Sequence, residues 1–281
     1  MPVITSLLDT DLYKLTMQAA VLDHFKDADV KYGYTNRTAD MKFNEQAVAW
    51  LREEVNSLES LTFTDAEIEF LGRAVPILPR KYLNYLHSFK FRPSQQVTIE
   101  FNDKEELNIE VHGLWVETIL YEIPLLALVS EAYFKFVDKD WTYDNQKQNA
   151  ANKTRELLAA GCNFTEFGTR RRRSYKAQDL VLQGIVEQAG GDPKLLGTSN
   201  VYFAMKYDLK PIGTVAHEWM MGIASYTQDY VHANLHSMEY WLKTMGDSGA
   251  GLALTDTFGT DNFLKCKSKV FLLYFRGLTS F

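Results

Sequence analysis

Between Asn163 and Trp219 the chain repeats one pattern, and that pattern narrows the possible fold more than any other feature. A short apolar or β-prone run (Asn163 to Phe167, Lys194 to Leu196, Pro211 to Ile212) leads each time into a cluster of small and polar residues. The clusters are Phe167-Gly168-Thr169 followed by Arg170, Arg171, Arg172 and Arg173, then Gly197-Thr198-Ser199-Asn200, then Gly213-Thr214-Val215-Ala216-His217-Glu218-Trp219. Helical-looking segments, Ser174 to Ala189 and Val201 to Tyr207, fill the intervals. Parallel strands need such crossovers, and a (β/α) barrel builds its site from loops at the C-terminal ends of its strands. The expectation is an α/β fold whose three loops converge on one pocket.

The residue types in those loops share a chemistry. Arginine's planar fork grips carboxylate or phosphate through two bonds at once. Gly-Thr turns let the backbone approach a ligand closely, and His217 can carry a proton or a phosphoryl group. Four consecutive arginines also suit a solvated face or an import patch. Successive residues point different ways, so Arg172 and Arg173 are expected at the surface. A histidine after an apolar strand is commonly structural, but here small neighbours leave room for a ligand, and Glu218 is a candidate to orient the ring. Asp256 ends the apolar run Leu252 to Thr255, where a carboxylate suits Mg²⁺, ribose hydroxyls or a helix N-cap. His232 and His236 have metal-pair spacing; with no third ligand evident, the pair reads as a solvated helix face. There is no Gly-x-Gly-x-x-Gly and no Walker loop.

Residues 1 to about 140 mix α and β. Thr10 is expected to cap a helix with the apolar face Leu12, Leu15, Ala19 and Leu22. Asp29 to Asn36 alternates as a strand, and Glu45 to Leu58 is amphipathic. Thr64 and Glu67 form a capping-box pattern, and Pro79 to Phe89 suits a short helix. Gln96 to Phe101 and Leu107 to His112 alternate as two strands. Trp115 to Val137 reads as one long helix that Pro124 either kinks or begins. Beyond about 145, Gln146 to Ala159 is helical and ends at Gly161. Trp219 to Met245 is helix-rich, and Gly246 to Gly249 is a turn.

At 281 residues the chain can bury a real core. The net charge of −6 argues against nucleic-acid binding through bulk charge. The two cysteines, Cys162 and Cys266, have no metal-ligand spacing, so a reducing compartment is the default. The longest apolar stretch, Ile119 to Val129, is broken by Glu122 and Pro124 and falls short of the ~20 residues a membrane span takes. With no signal-peptide pattern at the N-terminus, the expectation is a soluble protein of the cytoplasm, with the nucleus also allowed.

Taken in order, Leu8-Asp9-Thr10-Asp11-Leu12-Tyr13-Lys14-Leu15-Thr16-Met17, Phe167-Gly168-Thr169-Arg170-Arg171, the two Gly-Thr clusters and Leu254-Thr255-Asp256-Thr257-Phe258 resemble the nicotinate phosphoribosyltransferase family. The resemblance implies an N-terminal α/β domain (1–140) and an irregular, here incomplete, (β/α) barrel (141–264) of the type II phosphoribosyltransferase kind. Residues 265–281 lack the family pattern and read as the product of a truncated, alternatively spliced or misassigned frame. The implied reaction joins nicotinate to phosphoribosyl pyrophosphate, with ATP as co-substrate and Mg²⁺. It implies phosphorylation of His217, with Tyr13 stacking on the pyridine. Arg170 and Arg171 would meet the carboxylate or phosphate, Thr214 would contact nicotinate, and Ser199 and Asn200 would bond substrate. It also implies a homodimer, with no nucleic-acid or membrane partner. Three other readings stand beside it: a nicotinamide or quinolinate phosphoribosyltransferase, a catalytically impaired fragment or isoform, and a basic-patch binding module.

Overall fold

The computed structural model describes residues 2–38, 40–246, 252–265 and 277–279. The first part of the chain contains α1 (Leu12–His24), β1 (Asp29–Gly33), α2 (Glu45–Ser57), α3 (Asp65–Ala74), α4 (Arg80–Leu86) and α5 (Pro93–Gln96). It continues with β2 (Val97–Phe101), β3 (Leu107–Leu114), α6 (Trp115–Thr118) and α7 (Glu122–Phe136). The strands form an antiparallel sheet in the order β1-β3-β2, with Tyr32 opposite Val111 and Val97 opposite Val111 on the other side. Its alternating burial follows from the alternating sequence. The capping box at α3 is present in full: Glu67 N–H donates to Thr64 Oγ1 and Thr64 N–H to Glu67 Oε2.

One local expectation is corrected, and another is resolved in favour of Pro124 marking the start of a helix. Thr10 does not cap α1. Asp11 occupies the N-cap position, and the buried Thr10 Oγ1 has no hydrogen-bond partner among the described residues. The long helix expected over 115–137 is broken into α6, a 3-10 turn at Ile119–Tyr121 and α7, so Pro124 lies in the first turn of α7. There its missing N–H breaks no helical bond.

The second part alternates strand and helix: α8 (Gln146–Ala159), β4 (Phe164–Glu166), α9 (Tyr175–Ala189), β5 (Leu195–Thr198), α10 (Val201–Tyr207), α11 (His217–Thr227) and α12 (Ala233–Met245). Then come β6 (Leu252–Leu254), α13 (Thr260–Lys265) and β7 (Gly277–Thr279). β4 and β5 pair in parallel, and Pro211 extends them by a single bridge to Thr198. β6 and β7 form a second parallel pair. No closed barrel forms among the described residues. The turn expected over 246–249 falls largely outside the described residues, as does most of the tail from 265.

Gly197 shows how tightly the parallel strands approach. Its φ is 145°, and a Cβ there would collide with the Lys210 carbonyl. We expect Gly197→Ala to cost about 2 kcal/mol or more in urea unfolding; an unchanged midpoint would show that the backbone has slack there.

The two parts share one hydrophobic core, running from Ile4 to Phe263. The segment before α1 is laid into the second part: Leu12 N–H donates to Ser199 O (2.8 Å), Val201 N–H to Thr10 O (3.0 Å) and Tyr202 N–H to Leu8 O (2.8 Å). An aromatic cluster fixes α11. Trp219 packs against Phe25, Trp115 and Trp241 at ring separations of 5.8, 6.0 and 5.9 Å and donates from Nε1 to Ser237 O. Such aromatic pairs add about 0.5–1.5 kcal/mol each beyond burial. Gly222, one turn on, keeps α11 free of a side chain where it faces the Trp115 ring.

Candidate active site

The loop at 167–173 carries out two tasks that its sequence does not distinguish. Arg172, expected at the surface, is buried instead and donates two parallel bonds to Asp9, at 2.8 and 2.7 Å. Asn200 Nδ2 donates to the same carboxylate at 2.7 Å and to Thr169 Oγ1 at 3.1 Å, while its Oδ1 caps α10. Glu166 joins the group by accepting from Thr198 Oγ1 (2.7 Å), Gly168 N–H (2.6 Å) and Gln178 Nε2. Desolvation forces this arrangement, because a buried charge without a partner would be prohibitive. Arg173 is exposed, as expected, and lies over Phe134 and Trp141.

Arg170 stands on the other side of the loop and donates to Glu122 Oε1 at 3.2 Å. The second oxygen of Glu122 pairs with Lys14, whose side chain is fully buried. Lys14 also pairs with Glu218 Oε2, and Glu218 Oε1 accepts from Tyr32 Oη (2.6 Å) and Trp115 Nε1 (2.9 Å). Burial opposes the charge on Lys14, but Glu218 and then Glu122 outweigh it and hold the ammonium above the usual lysine range. Burial likewise opposes ionisation of Glu122, yet Lys14 and Arg170 keep its carboxyl below the usual range. Glu218 is thus turned into the core and does not orient His217, a correction to the sequence expectation.

His217 is the first residue of α11. Its Nδ1 lies 2.9 Å from Thr257 Oγ1, and its Nε2 lies 3.8 Å from Asp256 Oδ1. Thr257 and Asp256 belong to the loop after β6, so two strand-end loops meet at this ring. The ring remains 42% exposed.

Tyr13 is buried next to Lys14, whose Nζ is 5.7 Å from its ring centroid. Thr214 is half-buried in the irregular segment that leads into α11 and passes beside Tyr13; a Cβ on its neighbour Gly213 would sit 3.1 Å from Tyr13 N. Ser199 is fully buried and donates to Asp11 Oδ1 at 2.7 Å. The hydroxyl of Ser199 and the amide of Asn200 are therefore engaged inside the protein, where they tie the start of α1 to the end of β5. Arg171 and Arg170 together line a cleft of about 460 Å³ walled by Tyr34, Met41, Leu126, Tyr133 and Phe134. Neither Tyr13 nor His217 lines that cleft. Buried charges, rather than one shared cavity wall, connect the arginines with the histidine.

Asp9, Asp11, Lys14, Glu122, Glu166, Arg172 and Thr257 were missed as site residues. The signal for the first three was the set of charges in Asp9 to Lys14, a segment otherwise apolar enough to be core. His232 and His236 both face Asp229, at 3.0 and 3.4 Å, and no group of three metal ligands occurs among the described residues.

Burial pushes the Asp11 carboxyl up to about 6, against the Ser199 hydrogen bond and Arg170, which lower it. Its stabilising contribution is present below the unfolded value of 3.8 and is lost as pH rises through about 6. At about 1.4 kcal/mol per unit, the loss approaches about 3 kcal/mol. Urea unfolding across pH 4–7 should show wild type losing that much more stability than Asp11→Asn; parallel curves would exclude the assignment.

Two family profiles match. The nicotinate phosphoribosyltransferase N-terminal domain covers residues 8–130, and the nicotinate phosphoribosyltransferase family covers residues 162–278. The second match runs past Leu264, into the stretch where the motifs alone showed no family pattern. The nicotinate phosphoribosyltransferase of Saccharomyces cerevisiae is 54% identical over 277 residues, which are 94% of this chain and 65% of that protein. The enzyme of Methanosarcina acetivorans is 40% identical, over 93% of this chain and 67% of its own length. This chain thus spans about two thirds of the length of these relatives. A crystal structure assigned as the Saccharomyces cerevisiae enzyme superposes with a TM-score of 0.95 at 52% identity, covering 99% of this chain and 70% of that one. The Porphyromonas gingivalis enzyme gives 0.91 at 33% identity, covering 98% and 69%. With both profiles matched, 40% identity to an enzyme of which it covers 67%, and a backbone that superposes at a TM-score of 0.95, the chain belongs to the nicotinate phosphoribosyltransferase family.

Proposed function

We propose that this chain takes part in joining nicotinate to phosphoribosyl pyrophosphate, giving nicotinate mononucleotide and pyrophosphate, with ATP hydrolysed alongside. The observation that carries this reading is the tie from the Arg170 guanidinium and from the helix bearing His217 to one buried lysine. An anion-gripping group and a phosphate-accepting imidazole are thereby held in one rigid frame. At the ribose anomeric carbon, the bond to pyrophosphate breaks with its electron pair leaving on oxygen, and the pyridine nitrogen supplies the new pair. Arg170 and Arg171 offer positive charge to the carboxylate and to the departing anion. Tyr13 and Thr214 border the ring's position, while Ser199 and Asn200 hold the loop in place.

His217 is the residue we assign to phosphoryl transfer from ATP. With Nδ1–H donating to Thr257 Oγ1, Nε2 keeps its lone pair. Nε2 forms a bond to the γ-phosphorus, the β–γ bridging P–O bond breaks, and ADP leaves with those electrons. Water later takes the phosphoryl group from nitrogen. Asp256 fits Mg²⁺, an ion that takes one or two carboxylates and otherwise water and substrate phosphates. When bound, the ion neutralises phosphate charge. By family resemblance we assign a homodimer acting in the cytosol, with small-molecule rather than nucleic-acid partners; no helix among the described residues is long and apolar enough to cross a membrane.

Thermal unfolding with ligands tests the reading. Nicotinate together with phosphoribosyl pyrophosphate should raise the melting temperature, by the equivalent of about 2.7 kcal/mol at a hundredfold excess over Kd. Nicotinamide in place of nicotinate should give no such rise. No shift with nicotinate, or an equal shift with nicotinamide, would overturn the assignment.

A further inference from the structure

The geometry points to Lys14 as the residue that couples nicotinate binding to the state of His217, an inference that rests on the proposed function. Each of its two partners divides its carboxylate. Glu122 gives Oε2 to Lys14 and Oε1 to Arg170, the side chain assigned to grip the substrate's carboxylate. Glu218 gives Oε2 to Lys14 and Oε1 to Tyr32 and Trp115, and it follows His217 directly in the first turn of α11. The unbroken series is Arg170–Glu122–Lys14–Glu218, with His217 attached at its end.

Charge explains how such a series transmits. The two cations and two carboxylates balance, with Lys14 fully buried between two largely buried glutamates. An anion arriving at Arg170 competes with Glu122 for the guanidinium and leaves Glu122 leaning more heavily on Lys14. Lys14 then holds Glu218 less strongly, and Glu218 helps set where the first turn of α11 sits. Phosphorylating His217 adds negative charge at the other end of the same series. Linkage requires each event to alter the other's free energy by the same amount. Lys14 touches neither reacting centre, so it is a positioning residue.

The test is nicotinate affinity by isothermal titration calorimetry on the 281-residue chain, with and without Mg-ATP. It compares wild type, Lys14→Met, Lys14→Arg and Glu218→Gln, with phosphohistidine followed by mass spectrometry in each. Wild type should show an ATP-dependent change in nicotinate Kd of about fivefold or more. Lys14→Met should reduce that factor to within about twofold of none while His217 is still phosphorylated, and Lys14→Arg should restore part of it. Glu218→Gln keeps an acceptor for Tyr32 and Trp115 while removing the charge facing Lys14, so it should behave like Lys14→Met; it decides the matter if Lys14→Met does not melt cooperatively. A full wild-type coupling factor in the variants overturns the inference. Wild type that binds nicotinate with no effect of ATP overturns it too and leaves nicotinate binding in place. Wild type that binds no nicotinate overturns the proposed function and this inference together.

Discussion

Arg172→Met is expected to lower the unfolding free energy by about 3–5 kcal/mol, measured by urea titration at neutral pH. The substitution keeps an unbranched apolar stem but strips Asp9 of both guanidinium bonds. What remains is a carboxylate buried among Thr169, Gln178 and Asn200, supported by one amide. The cost is that of an uncompensated buried charge, larger than the net worth of the pair itself. The double variant Asp9→Asn/Arg172→Met should therefore recover stability relative to Arg172→Met alone. A single variant within about 0.5 kcal/mol of wild type would mean that water reaches Asp9, and the buried network would have to be abandoned. A smaller effect is expected on Arg170, whose side chain is 45% exposed.

His217→Ala should abolish ATP-derived phosphate on the protein and lower nicotinate-stimulated ATP hydrolysis by about 10³-fold or more, the scale on which removing a covalent nucleophile acts. Stability should change little, within about 0.5 kcal/mol. The ring is partly exposed, its hydrogen bond is to a single hydroxyl, and alanine is the best helix former at that position. Mass spectrometry after incubation with ATP, together with a melting curve, separates the two outcomes. Phosphate retained on the variant, or ATP hydrolysis undiminished, would remove His217 from the assigned role.

The part of the site that was legible in the sequence lies where local chemistry is decisive. Gly-Thr turns after β-prone runs marked the loops, and a histidine with small neighbours marked the start of α11. The capping box at Thr64 and the alternation in β2 and β3 also needed nothing beyond their own neighbours. The four arginines were not legible individually. Adjacent side chains leave the backbone in different directions, and only the position of Asp9, 163 residues away, makes Arg172 internal while Arg173 stays at the surface. Glu218 failed for the same reason: its carboxylate was assigned to the adjacent ring, whereas a lysine 204 residues away claims it.

Periodicity, turn residues and capping chemistry act over a few residues, so the sequence alone could specify an alternating α/β chain with reactive loops at its strand ends. Desolvation acts in space. Which charged groups lose water, and which opposite charges they must then meet, depends on how the segment before α1 is laid against the chain that follows β5 and how α11 is packed by Trp219. Only the tertiary structure could therefore decide that Lys14, outwardly one more helical lysine, lies between two glutamates at the centre of the site.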